Sequence, residues 1–302
     1  MNKYVIYTAL IGNYDDIRQP LAVDNRFDYI LYMDNPTQSR IGVWEVRKFE
    51  CDNLDLTRVA RYIKTHPHEL LPDYEASMWI DARIQITHNS FYIQFIEMCS
   101  TSYDVAASIH PLRDCIYDEA YEVMNKGLEL EQKVFEWCHY LREESYPQHN
   151  GLYETGVLFR KHNDEVLEMD KLWWQYIQTY SRRDQLSFNY VLSKLHVKCA
   201  SFFQNGESLR KTSCMICHQH SSTASSSRRV LNHSFGEHAR VRCRVGLPEK
   251  YDAFKSMHYR WWGYPVQYGL LCLYLWGVYA TILYGPIIKY KTYLKHKRQE
   301  NT

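Results

Sequence analysis

The stretch Tyr74 to Ile86, YEASMWIDARIQI, limits the possible folds of this chain more than any other. Its apolar run Met78-Trp79-Ile80 reads as a strand buried on both faces, and it stops abruptly at the carboxylate of Asp81. Open α/β sheets bind ligands in the crevice outside the carboxyl ends of their strands, so Asp81 is where chemistry is first sought. The expected fold class is therefore α/β.

Neighbouring segments support that frame. KYVIYTALI (3–11), ending at Gly12-Asn13, and Phe27 to Met33, ending at Asp34-Asn35-Pro36, have the composition and punctuation of strands, as does Trp44 to Phe49. Leu56, Val59, Ala60 and Ile63 recur at helical spacing after a capping Asp55 or Asn53, which leaves Arg58, Arg61 and Lys64 on the other face. Those cations form either a solvated basic face or a phosphate site. A helix is expected over Asn89 to Cys99, a strand over Asp104 to Ile109, and one long helical pattern from the turn at His110 to about Glu144. Asn150 to His162 alternates like a strand. Asp164 to Val197 is helical with a break at Ser181-Arg182-Arg183-Asp184-Gln185, where the carboxylate and amide either cap a helix or bind hydroxyl groups.

At 302 residues and 45% hydrophobic, the chain can bury a sizeable core. Charge divides it: residues 1–204 carry 21 Lys/Arg against 30 Asp/Glu, whereas residues 205–302 carry 15 against 5. SSTASSSRR (221–229) reads as a linker. Beyond it, residues 261–288 contain no charged side chain and are flanked on both sides by lysines and arginines. The length suffices to span a bilayer, but frequent tyrosine, Gly277, Gly285-Pro286 and the two-sided positive charge fit a segment lying along or dipping into a cytoplasmic leaflet. The basic region is interleaved with this apolar run and has no reader motif, which argues against nucleic acid. Met1-Asn2-Lys3 leads into a strand and not into an apolar signal core, and nine cysteines without framework spacing suit a reducing cytosol. Cys214-Met215-Ile216-Cys217-His218 has haem-attachment spacing, but no second such pair completes a zinc site.

YTALIGNYDD (7–16), the Arg58/Arg61/Lys64 helix leading to His66-Pro67-His68, SMWIDA (77–82), HPLRDCIYDEA (110–120), NGLYETGVLFRKH (150–162) and SRRDQLSF (181–188) together resemble a glycosyltransferase-like family. That family occurs in bacterial polysaccharide loci and among plant proteins linked to mucilage pectin, and the resemblance spans about residues 4–220. It implies a GT-A-like Rossmann domain over 1–220, with 221–302 as linker and membrane-apposed segment. It also implies transfer of a sugar from a nucleotide-diphosphate donor to a surface-polysaccharide or lipid-linked acceptor. By the same resemblance, Tyr7, Thr8, Asn13, Tyr14, Asp15, Arg58, Arg61, Lys64 and Asp81 hold the donor. A divalent cation, Mn²⁺ or Mg²⁺, would sit on Asp81 with His218 or His220, although Asp81 lacks the second aspartate of an Asp-x-Asp motif. Candidate proton acceptors are Asp184, Glu154 and Asp114, in that order. His110, Arg113, Glu119, Arg183 and Gln185 are expected to face the acceptor. The rival readings are a hydrolase or nucleotidyltransferase in the same crevice, and a non-catalytic sugar-binding scaffold.

Overall fold

The computed structural model describes residues 2–12, 15–51 and 53–220. The apolar stretch 261–288 lies outside the described residues, as do Asn13 and Tyr14. The described residues fall in one compact unit.

Within it, a mixed α/β fold is built on an eight-stranded sheet. The strands are β1 (Tyr4–Leu10), β2 (Phe27–Met33), β3 (Arg40–Ile41), β4 (Trp44–Lys48), β5 (Ala76–Ile80), β7 (Val105–Ile109), β8 (Tyr153–Lys161) and β9 (Cys199–Ser201), in spatial order β3-β4-β2-β1-β5-β8-β7-β9. β4, β2, β1 and β5 are mutually parallel. β8 runs against both β5 and β7, and β9 runs parallel to β7. A short β6 (Ile84–Ile86) pairs with β10 (Met215–Cys217) in a separate ribbon.

The central strands are buried on both faces, so they read as apolar runs and not as alternating ones. Side-chain alternation then decides what each face meets. On one face Ile6, Phe27, Met78 and Phe159 join a core with Phe91, Tyr92 and Phe95 of α3 (Ser90–Cys99). Phe95 makes edge contacts with Phe27 and Phe159 at centroid distances of 4.9 and 5.0 Å. On the other face lie Tyr7, Trp79 and Arg160, under α1 (Leu56–Thr65) and α6 (Asp164–Thr179). Here a fully buried Arg160 donates to Asp170 Oδ1 at 2.7 Å, to the Lys64 carbonyl at 2.6 Å and to the Tyr7 hydroxyl. α7 (Gln185–Lys194) packs on α6 and β8.

Local signals explain the boundaries. Asp55 caps α1 by accepting from the N–H groups of Thr57 and Arg58, and Asn163 caps α6 by accepting from Val166. The single helix expected up to Glu144 is in fact two, α4 (Ile116–Asn125) and α5 (Glu131–Glu143), because Gly127 at φ 61° ends the first with a left-handed turn. Also unforeseen was α2 (Pro67–Leu70). Among the described residues no helix is long and apolar enough to cross a membrane, and no cysteine forms a disulfide.

His68 and His162 line one cavity with Pro67, Pro72 and Asp170. Burial pushes each imidazole down to about 4, so both are neutral in the folded protein. In the unfolded chain they take up protons near the ordinary value of about 6.5. Stability from these groups is therefore complete above that value and lost as pH falls toward the folded value. The urea midpoint should be lower at pH 5 than at pH 7.5, and substituting both histidines by glutamine should reduce the difference. Equal midpoints for the wild type would contradict the burial argument.

Candidate active site

The strand ends converge on one cleft. Ala9, Leu10 and Ile11 at the end of β1, Asp15, Ala60 and Arg61 of α1, and Trp79, Asp81 and Ala82 at the end of β5 line it together with His220. Asp81 is fixed by its surroundings. Its backbone N–H donates to the Gly156 carbonyl at 2.9 Å, and its carbonyl accepts from Ile84 at 2.8 Å. Trp79 Nε1 donates to Oδ1 at 3.0 Å, which leaves Oδ2 facing Gly156. A Cβ at position 156 would stand 3.3 Å from that oxygen and 3.1 Å from Leu209, so glycine there keeps the carboxylate uncrowded. Across the cleft, His220 Nδ1 lies 2.9 Å from Asp15 Oδ2.

The three cations of α1 do not act as one face. Arg58 is used by its own helix cap, with Nη1 2.8 Å from Asp55 Oδ2, and by the Ile177 carbonyl at 3.3 Å. Lys64 turns inward between Trp79 and Trp173, 5.6 Å from each ring centroid, and donates to Asp184 Oδ2 at 2.5 Å. Arg61 Nε approaches Asp184 Oδ1 at 2.8 Å, and the Thr155 hydroxyl donates to Oδ2 at 2.8 Å. Burial by itself would raise the Asp184 carboxyl. The charges of Arg61, Lys64 and Arg183 outweigh it and hold the group well below the usual carboxylate range. Both of its oxygens are engaged, so Asp184 is an anchor for cations and a poor proton acceptor.

Next to Asp184 the opening of α7 presents donors without acceptors. Arg183 Nε and Gln185 Nε2 are buried and have no hydrogen-bond partner among the described residues. Arg183 feels the charges of Arg61, Asp184, Glu119 and Asp81.

A second carboxylate centre adjoins the first. Glu154 belongs to a segment of β8 where pairing with β7 slips: Ala107 faces Leu158, while Ser108 faces Glu154. Such bulges redirect side chains, here those of Glu154 and Thr155. Arg210 donates twice to Glu154 Oε1, at 2.6 and 2.9 Å, while Oε2 is buried with no partner among the described residues. Burial pushes the Glu154 carboxyl up, against the lowering effect of Arg210. Nearby, Arg113 donates to Glu119 Oε2 at 2.7 Å. His110 Nδ1 accepts the N–H groups of Leu112 and Arg113, and burial holds this imidazole neutral, down to about 3.

Other residues singled out in the sequence lie elsewhere. Tyr7 is fully buried, donating to the Lys64 carbonyl at 2.9 Å, because its position on β1 faces α1 and not the strand end. Thr8 is also fully buried, its hydroxyl without a hydrogen-bond partner among the described residues. Asp114 is 64% exposed and pairs with His149 on an open turn. His218 is 3.0 Å from Gln85 Oε1 and does not line the cleft, unlike His220. Asn13 and Tyr14 lie outside the described residues. Nothing in the sequence pattern singled out Arg210 or Thr155.

Removing one member of a buried ion pair strands the other, at a cost of about 3–5 kcal/mol. Asp184→Asn, which strands both Lys64 and Arg61, should therefore destabilise the domain by roughly that amount, and adding Lys64→Met to it should recover part of the loss. Denaturant unfolding of both single variants and the double variant measures this coupling. A strictly additive double variant would show that the pair is not coupled.

The family described as TOD1/MUCI70, glycosyltransferase-like domain, matches residues 1–220. Alkaline ceramidase TOD1 of Arabidopsis thaliana is 23% identical over 228 residues, covering 64% of this chain and 49% of that protein. Probable hexosyltransferase MUCI70 of Arabidopsis thaliana is 21% identical over 221 residues, covering 64% of this chain and 38% of that protein. The chain thus spans less than half the length of either relative. Among solved structures, the apo WbbM bifunctional glycosyltransferase aligns with 66% of this chain and 38% of its own, at a TM-score of 0.38 and 11% identity. With the family match covering its whole described domain, the chain belongs to the TOD1/MUCI70 glycosyltransferase-like domain family.

Proposed function

We propose that this chain is a nucleotide-sugar-dependent glycosyltransferase of GT-A-like architecture, moving a hexosyl or uronosyl group to a glycan or lipid-linked acceptor. One observation carries the reading: Asp81 ends a central parallel strand in a cleft that also holds Asp15, Arg61 and His220. Loss of a nucleoside diphosphate develops negative charge, and prepositioned cations stabilise it without proton transfer. Arg61 and Lys64 together carry one positive charge more than Asp184 balances. Arg183 has no carboxylate partner of its own among the described ion pairs and adds a second.

The residues fit a divalent cation only in part. Asp81 and Asp15 supply hard oxygen donors to one cleft, but no group of three His, Cys, Asp or Glu among the described residues is arranged to hold an ion. A cation there would take most of its ligands from the diphosphate and water, and would offset the charge of the leaving group. His220, not His218, is the histidine in reach of that cleft.

On the acceptor side, Glu154 takes the role of proton acceptor in place of Asp184. Its Oε2 is a buried acceptor atom without a donor among the described residues, as required of a base awaiting a substrate hydroxyl. His110, Arg113 and Glu119 shape the wall beside it. Residues 261–288 would hold this site against a cytoplasmic leaflet, within reach of a lipid-linked acceptor.

A second reading has support of its own: one relative is named an alkaline ceramidase, so the same cleft could serve hydrolysis of a lipid amide. A panel of nucleotide sugars, with and without Mn²⁺, separates the two. A transferase gains thermal stability with a nucleoside diphosphate or its sugar and releases the diphosphate on turnover; a ceramidase cleaves ceramide and responds to neither. Asp81→Ala should remove the thermal shift and lower turnover at least about a hundredfold, the scale of losing one electrostatic stabiliser. Retained function in cells after that change would favour a scaffold. Deleting residues 261–302 should move the protein from the membrane to the soluble fraction, and unchanged membrane association would sink the anchoring claim.

A further inference from the structure

Glu154 is held from one side only. Arg210 directs two guanidinium N–H groups at the same oxygen, Oε1, at 2.6 and 2.9 Å. The other oxygen is buried and has no donor among the described residues. Exposure separates the partners: the Arg210 side chain is 52% exposed and the Glu154 side chain 10%. The arginine therefore reaches in from the surface to a carboxylate already enclosed by the β8 bulge. Two bonds to one oxygen restrict rotation about the terminal torsion of the glutamate, which otherwise has a broad profile. The carboxylate plane is thereby set, and so is the direction in which Oε2 points.

We propose that Arg210 is a positioning residue for Glu154, fixing Oε1 so that Oε2 is presented to the acceptor hydroxyl and keeping the carboxylate charged in an enclosed site. Arg210 comes from the segment after β9, so the base on β8 is completed by residues far along the chain. Two other charges act on Glu154: Glu119 from α4 opposes its ionisation, and Arg83 from the turn after β5 favours it. Both remain when Arg210 is changed. With Arg210 removed, burial and Glu119 weigh more heavily against the charged form, and the glutamate must take up its proton at higher pH.

This proposal rests on the glycosyltransferase reading in its kinetic part only. The direct measurement needs no turnover: the ¹³Cδ resonance of Glu154 in glutamate-labelled full-length protein, assigned by its absence in Glu154→Gln, is titrated in wild type, Arg210→Gln and Arg210→Lys. The midpoint should move to higher pH in Arg210→Gln and lie between the two in Arg210→Lys. Because Arg210 is half exposed, both variants should fold, and thermal melting verifies this. In turnover at saturating donor, Arg210→Gln should shift the acid limb of kcat/KM for the acceptor to higher pH. Its rate should be about three- to tenfold low at the acid end and closer to wild type at the alkaline end, with donor KM within about twofold. An unmoved ¹³C midpoint overturns the proposal, as does a loss uniform across pH with a raised donor KM. A moved midpoint in a protein that turns over no nucleotide sugar upholds Arg210's hold on Glu154 and sinks the glycosyltransferase reading instead.

Discussion

The buried Asp184 carboxylate, gripped by Arg61, Lys64 and Thr155, is the interaction on which the rest of the cleft depends. It joins α1, β8 and the opening of α7 at one buried point. Two buried cations beside the strand ends would repel each other and be costly to desolvate. Asp184 removes most of that cost while leaving excess positive charge at the cleft. The aromatic walls of Trp79 and Trp173 close the site around Lys64 and keep the local dielectric low, which strengthens the pairing.

Family membership narrows the chemistry without choosing it. Two relatives carry names as different as a ceramidase and a hexosyltransferase, and each is more than twice as long as the part matched here. A shared fold hosts many reactions, so function has to be argued from the site. The described residues place a cluster of Arg61, Lys64 and Asp184 near Asp81, and a Glu154 carboxylate whose Oε2 is buried without a partner among them. In the function proposed above, the first would meet a charged leaving group and the second an incoming hydroxyl.

Much of the frame was legible in the chain. The apolar runs around β1, β2 and β5, the cap at Asp55 and the break at Ser181 to Gln185 all have local causes, and local causes can be read from local residues. Asp81 was legible because a carboxylate at the end of a doubly buried strand is costly to place there unless a ligand or a polar partner meets it. The side-chain partnerships were not. Arg58, Arg61 and Lys64 look alike at helical spacing, and only the distant Ile177 carbonyl and Asp184 sort them into a structural residue and two site residues. Tyr7 was misplaced because alternation along a strand gives two faces without saying which one meets the ligand. Short strands such as β6 and β10 carry too little pattern to be seen before their partner is known.

The pairing of Asp15 with His220 joins residues 205 positions apart, and Arg210 meets Glu154 across 56. Contacts of such separation are slow to form, because a long loop must be closed before they gain anything. During synthesis from the amino terminus, the sheet strands up to β8 can pair well before residues 210 and 220 emerge. The cleft is thus sealed last, by the end of the same domain whose beginning opened it. A nascent chain has its framework before it has its site.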